Sequence, residues 1–300
     1  MTIKRVNHGR GHSYVDTDTG LKIPGVTTIT GDGVPKKALI EWSATATIDY
    51  AIDHWADLSK KPVSVRAKEL KGARYATKDT AANRGTQVHK LAAQLVNGVK
   101  VAVPDGLEGY VQSYVRFLDD FDVEPLFVEQ TVVSRTHRYC GTLDLIAELL
   151  DPDDPEPDPA VRGRLRWLLD VKTNRSGIFG ETALQLAGYR YADAIVDDDG
   201  TELDMVDVDR TGAVWVRPDG YDLVPVEAGP LQHRHFLYAQ QIGEFIASDR
   251  DLIGDPIVSP RTSTYRLVAA DEPTADERYL AELDERDAAI AERKAAEALF

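Results

Sequence analysis

The order of periodic segments predicts an α/β protein, with a central mixed β-sheet flanked by helices. Three observations carry this expectation. Residues 79–96 and 106–121 repeat apolar side chains at helical spacing, residues 127–134, 142–149 and 165–173 are consecutive runs of strand character, and residues 182–196 return to helix.

Taken in order, residues 12–30 read as a β-hairpin. Tyr14 and Val15 lead to a turn at Gly20, and Ile23, Val26, Thr27, Thr28 and Ile29 form a β-branched return strand. Residues 38–55 are Ala-rich with near-helical apolar spacing, and Pro62 and Gly72 punctuate the stretch that follows. The helix over 79–96 carries Val88, Leu91, Ala92, Leu95 and Val96, and Asn97-Gly98 is its stop signal. Between the second and third strand runs, Asp151 to Pro159 is so rich in Pro and Asp that it predicts a solvated loop. Residues 213–217 and 222–226 pair around Pro218-Asp219-Gly220 as a hairpin, and 231–247 read as helix. Thr274-x-x-Glu277 is a capping box opening a terminal acidic helix. These segments divide into an N-terminal hairpin and basic region (1–78), a core (79–250) and a C-terminal extension (251–300).

Cys140 is the single cysteine, which excludes an intramolecular disulfide framework, a cysteine-ligated zinc site and a four-cysteine iron–sulfur cluster. No stretch approaches the roughly 18 apolar residues of a membrane span, and residues 1–15 lack the apolar centre of a secretory leader. A cytoplasmic protein is the expectation. The net charge of −15 hides a segregation: residues 60–84 hold eight basic against two acidic residues, whereas 271–300 hold four basic against ten acidic. Lys68, Lys71, Arg74 and Arg84 lie in the basic stretch, which is what a phosphate-binding surface needs locally. A solvated amphipathic face would carry the same charges.

The chemistry centres on Leu168-Leu169-Asp170-Val171-Lys172-Thr173. Strand alternation puts Asp170 and Lys172 on one face and Val171 on the other. An ordinary ion pair would satisfy both. The preceding run Gly141-Thr142-Leu143-Asp144-Leu145-Ile146, however, sets another carboxylate among apolar residues, where an unpaired charge is costly. If a hairpin over the acidic loop joins the two strands, Asp144 and Asp170 converge. Two carboxylates sharing one lysine suit a divalent cation such as Mg²⁺ or Mn²⁺; the alternative is an Asp144 that caps a turn in water. Upstream, Arg84-Gly85-Thr86-Gln87-Val88-His89 offers an imidazole, with Gly85 permitting close backbone approach. Downstream, Gln185 and Tyr189 share a helix face at i, i+4, a spacing that a plain amphipathic helix would also give.

A helical His, then Gly-Thr-x-Asp, Asp-x-Lys and Gln-x-x-x-Tyr, in that order over about 84–191, resembles the RecB-type branch of the PD-(D/E)XK nucleases. That branch includes the CRISPR-associated Cas-four exonucleases and phage recombination exonucleases. Tyr14, the run Pro24 to Ile29, Trp42, and the Val214 to Pro218 hairpin resemble phage-encoded members more weakly. The resemblance implies a restriction-endonuclease-like core and a metal-dependent DNA exonuclease of phage or bacterial recombination, replication or repair. It would act on linear ends or single strands, with a recombination or replication protein as a possible partner. It implies metal binding by His89, Asp144, Asp170 and the Val171 carbonyl, with Lys172 positioning or activating water and stabilising charge, and Gln185 and Tyr189 supporting the site or contacting the DNA backbone. Glu129 is a further carboxylate near this set or a surface residue on a strand edge. Cas-four relatives usually hold an iron–sulfur cluster, and Cys140 alone points to cluster-free relatives. An endonuclease of the same fold, cutting restriction sites or branched DNA, and a catalytically silent DNA-binding or scaffold module are the competing expectations.

Overall fold

The computed structural model describes residues 3–8, 11–197, 200–248, 252–258, 260 and 275–297; at 11, 37–38, 74–82, 275 and 290–297 it describes the backbone alone. The chain divides into two compact units, Met1–Leu252 and Ile253–Phe300.

The first unit is mixed α/β. Its principal sheet has five strands in the order β12-β11-β8-β7-β4. Strands β4 (Glu124–Val128), β7 (Leu145–Leu150) and β8 (Arg164–Lys172) pair antiparallel, as the acidic loop requires. β11 (Arg210–Arg217) runs parallel to β8 and forms a hairpin with β12 (Gly220–Pro225). The sheet is therefore mixed, with α5 (Glu181–Arg190) and the intervening segment carrying the chain across the β8–β11 connection.

Both faces of this sheet are covered. Leu145, Ala147, Leu149, Trp167, Leu169, Val171, Val214 and Val216 pack against α3 (Val63–Val96) and α4 (Glu108–Asp120) through Val88, Leu91, Tyr114 and Phe117. Ile146 and Leu168 point the other way, toward Leu186 and Tyr189 of α5 and Phe236 of α6 (Pro230–Ser248). Period-2 alternation thus fills two cores from one set of strands. Val171 enters one core while Asp170 and Lys172 face the other side.

Two expected strands are each broken in the middle. The run 127–134 ends β4 at Val128 and resumes as β5 (Thr131–Ser134); the run 142–149 straddles β6 (Tyr139–Thr142) and β7. β5 and β6 belong to a second sheet of order β10-β9-β5-β6. One long hairpin therefore passes from one sheet to the other, and the bend is tied by Glu129 N donating to Asp144 O (3.0 Å) and Leu143 N to Gln130 O (2.9 Å). Glu129 sits at φ +53°, a left-handed conformation that a non-glycine residue adopts at a cost.

Other expectations are corrected. The return strand of the first hairpin is only β3 (Lys22–Ile23), and Val26–Gly33 is a helix, α1, despite its β-branched residues. Val26 and Ile29 bury themselves against Phe236 and Ala239 of α6, so tertiary packing overrides local preference. β1 (Ile3–His8) adds an unanticipated strand beside β2 (Gly11–Asp16). The helix expected to run to Val196 stops at Arg190, and Ala194–Val196 is β9, paired with β5 and with β10 (Glu202–Asp204). Of the two expected punctuation points only Pro62 holds: α3 begins after it and continues through Gly72 to Val96, so the boundary expected at 78/79 falls inside one helix. α2 (Lys37–Leu58) packs against α3. In the second unit α7 spans Ala275–Glu297; the Thr274 of the capping box lies outside the described residues, as do the side chains of Arg74 and Lys78. Among the described residues no helix is long and apolar enough to cross a membrane.

Candidate metal and hydrolytic centre

The bend between the two sheets builds the site. Glu129 and Asp144 occupy the two strands of the hairpin at the point where both leave the principal sheet, and α3 brings His89 to them. His89 Nδ1 lies 3.4 Å from Asp144 Oδ2 and 3.9 Å from Glu129 Oε1. Among the described residues these three offer ligand atoms mutually within 4.8 Å, a set able to hold a cation. Glu129, ambiguous in sequence, is thereby a member of the cluster. Its left-handed φ was not legible from a strand-like run, and that bend is what turns its side chain inward.

Asp170 lies on the next strand and is fully buried. Lys172 Nζ is 2.5 Å from Asp170 Oδ2, and Gln185 Nε2 donates to Asp170 Oδ1 at 2.7 Å. Lys172 Nζ also donates to Gln185 Oε1 at 3.2 Å, and Gln185 Nε2 contacts the Tyr189 hydroxyl at 3.2 Å. The Gln-x-x-x-Tyr pair is therefore part of the centre, not a plain amphipathic face. Val171, between Asp170 and Lys172, donates its main-chain N–H to Asp144 Oδ2 at 2.7 Å. His89, Asp144, Val171, Asp170, Lys172, Gln185 and Tyr189 form one continuous network, although the three-ligand cluster includes Glu129 and not Asp170.

The electrostatics follow from burial set against pairing. Burial opposes charge on His89, but Asp144 and Glu129 outweigh it and hold the imidazole well above its ordinary range. Burial likewise works against the Asp144 anion, and His89, Lys172 and the Val171 N–H more than offset it, so its carboxyl titrates low. For Asp170, burial and the neighbouring Asp144 charge prevail over Lys172, and its carboxyl is raised. Lys172 is raised despite burial, chiefly by Asp170 and Asp144, so it stays an ammonium at neutral pH. Tyr189 is pushed well up by burial and both aspartates.

Close approaches set the frame. A Cβ on Gly141 would fall 2.5 Å from Tyr189 Cε1, so the Gly of Gly-Thr-x-Asp makes room for the Tyr of Gln-x-x-x-Tyr. Thr142 Oγ1 lies 2.7 Å from the Tyr14 hydroxyl, which also contacts His12 Nε2 at 3.0 Å; the N-terminal sheet thus pins the strand that carries Asp144. A Cβ on Gly85 would lie 3.4 Å from Thr173 Oγ1, an ordinary van der Waals distance, so the close approach expected there does not require glycine. Arg84 stacks over Tyr110 (5.6 Å to the ring centre), while Lys68 and Lys71 are exposed farther back along α3. No family model matches the chain, and no curated protein matches it.

Proposed function

We propose that this chain is a divalent-metal-dependent DNA exonuclease of the RecB-type branch of the PD-(D/E)XK superfamily, working in the cytoplasm of a bacterium or phage-infected host. The observation that carries the reading is the Val171 N–H bond to Asp144, which joins Gly-Thr-x-Asp and Asp-x-Lys into one centre beside His89. The donor set fits Mg²⁺ or Mn²⁺. Around a cation with ligands at about 2.1 Å, neighbouring donors lie about 3 Å apart and opposite ones about 4.2 Å, and the His89 separations of 3.4 and 3.9 Å fall between. One imidazole with hard carboxylate oxygens suits Mn²⁺ or Mg²⁺ and leaves positions for water and phosphate. No cysteine cluster is available for iron–sulfur chemistry.

His89, Glu129 and Asp144 would hold the ion, with Asp170 and the Val171 carbonyl at its margin. Bound metal neutralises the scissile phosphate and acidifies a water. In hydrolysis the water oxygen forms a bond to phosphorus as the bond to the leaving strand breaks, and charge grows on the non-bridging oxygens. Lys172, held as an ammonium by Asp170, would stabilise that charge. Gln185 fixes the orientation of both Asp170 and Lys172. The α3 residues Lys68, Lys71 and Arg84 lead toward His89 along one helix, about 30 Å from Lys68 to His89 at 1.5 Å per residue. Such a row would follow a phosphate backbone without reading sequence. A recombination or replication protein is the partner this role implies.

The test uses end-labelled linear duplex, single-stranded DNA and covalently closed plasmid, each with Mg²⁺, Mn²⁺ or chelator. Degradation of linear substrates with intact plasmid is the expected result, abolished by chelator. Plasmid cleavage would make the enzyme an endonuclease, and no cleavage of any substrate would leave a binding module.

A further inference from the structure

The N-terminal sheet meets the strand that leads into the metal cluster through an ordered row of polar groups. β6 stands at the end of the strand order β10-β9-β5-β6, and its outer edge takes the N-terminal segment as a neighbour. Cys140 N donates to Pro24 O at 3.0 Å, Gly25 bridges to Cys140, and Thr142 meets the Tyr14 hydroxyl. Thr142 is the last residue of β6; Leu143 and Asp144, which follow it, make the bonds to Gln130 and Glu129 that tie the bend. Register sets Arg5 opposite Tyr14, with His12 on the same face of β2. Arg5 Nη2 lies 3.3 Å from His12 Nδ1, His12 Nε2 lies 3.0 Å from the Tyr14 oxygen, and that oxygen lies 2.7 Å from Thr142 Oγ1.

Chemistry gives this row one direction. A guanidinium only donates, so His12 Nδ1 accepts and the imidazole is the neutral Nε2–H tautomer. Burial and Arg5 hold that imidazole below its ordinary value, which favours the neutral form. Nε2–H then donates to the Tyr14 oxygen, and the proton of Tyr14 is left for Thr142 Oγ1. Burial pushes the phenol up to about 12, so Tyr14 keeps that proton at neutral pH. From this row we infer that Tyr14 is a positioning residue of the metal cluster: its hydroxyl, oriented by Arg5 and His12, fixes the end of β6 and with it the placing of Asp144 and Glu129 about His89. The inference rests on the metal-centre reading above. The path from hydroxyl to ligand is short, since Asp144 follows Thr142 by two residues and Glu129 lies close enough to raise the Tyr14 phenol further. Without the bond, the last residue of β6 loses its anchor at the point where the hairpin changes sheets, and a donor set serves a cation only when its separations are held.

The experiment titrates Mn²⁺ into the full chain by calorimetry, with melting in chelator as the measure of fold stability. Tyr14→Phe keeps the ring and Thr142→Val keeps the shape, and each should weaken Mn²⁺ binding about three- to tenfold, the worth of one hydrogen bond. The double variant should bind no more weakly than the weaker single, because both lose the same bond, while Thr142→Ser should bind as wild type does. Tyr139→Phe is the control: it removes a hydroxyl bonded to His233 Nε2 (3.2 Å) at the other end of β6, so it should lower the melting temperature and leave Mn²⁺ affinity unchanged. Wild-type affinity in Tyr14→Phe, additive losses in the double variant, or an equal loss in Tyr139→Phe would each overturn the inference. If Tyr14→Phe does not fold, Thr142→Val against Thr142→Ser decides, and equal Mn²⁺ affinity in that pair overturns it. DNA cleavage separates this inference from the function proposed above. Wild-type protein that binds Mn²⁺ without cutting DNA would sink the nuclease assignment and leave the role of Tyr14 standing; DNA cleavage with unchanged Mn²⁺ affinity in Tyr14→Phe would do the reverse. Wild-type protein that binds no Mn²⁺ would overturn both.

Discussion

Asp144 accepts the main-chain N–H of Val171, so the residue between Asp170 and Lys172 orients a carboxylate from the neighbouring hairpin. The bond needs no particular side chain at 171. It needs β7 and β8 in the register that pairs Leu145 with Leu169, and this register is set by the two apolar faces of the sheet.

The carboxylates come first among the predictions. Asp144→Asn and Asp170→Asn preserve shape but remove charge, and each should lower DNA cleavage at least about 10²-fold. Ca²⁺ should support DNA binding without turnover. Wild-type rates in purified Asp170→Asn protein would show that the centre is misassigned.

Lys172→Met should lower turnover by at least about 10²-fold while metal affinity is retained, because an ammonium is not a ligand. It should also raise the Asp170 carboxyl further, since its main neutralising neighbour is lost. Metal titration alongside single-turnover kinetics distinguishes the roles: loss of metal affinity with activity would make Lys172 structural.

Glu129 separates backbone cost from ligand function. Glu129→Gly relieves the left-handed residue, worth on the order of 1 kcal/mol, and deletes the carboxylate. The variant should therefore melt at the same or a higher temperature in chelator yet bind Mn²⁺ more weakly. A lower melting temperature with unchanged Mn²⁺ affinity is the opposite pattern and would remove Glu129 from the metal cluster.

Gly141→Ala places a methyl group 2.5 Å from Tyr189 Cε1 and 3.0 Å from Val26 Cγ2. Overpacking of this kind costs typically 1–3 kcal/mol, that is, about 1–3 here. Displacing Tyr189 should also loosen Gln185 and lower cleavage. Chemical denaturation and kinetics of the one variant report both effects, and a change in neither would mean that the strand yields freely.

The acid limb of stability should depend on His233. Burial, then His137, holds its imidazole down at about 4, against 6.5 when unperturbed, while it stacks on Tyr191 and Phe236. A depressed histidine is neutral in the folded chain and protonates first when unfolded. Its contribution is thus fully present above pH 6.5 and is lost as pH falls toward 4. Unfolding free energies across that window should fall less steeply in His233→Phe than in wild type; parallel slopes would assign the acid sensitivity to other groups.

The local patterns were legible in the sequence. Apolar spacing marked the helices α2, α4 and α6, the Pro/Asp loop marked the β7–β8 hairpin, and alternation put Asp170 and Lys172 on one face. The order of His89, Asp144, Asp170, Lys172, Gln185 and Tyr189 also foretold the residues that the fold draws together. Those signals are short-range consequences of the 3.6- and 2-residue periods. Only the tertiary structure decided where the strands break, that Val26–Gly33 is helical, and that Glu129 turns toward His89. Each depends on a partner distant in sequence: a second sheet that takes over the hairpin at Gln130, or α6 packing against Val26 and Ile29. Propensity averages over such partners, whereas packing density and register select one of them.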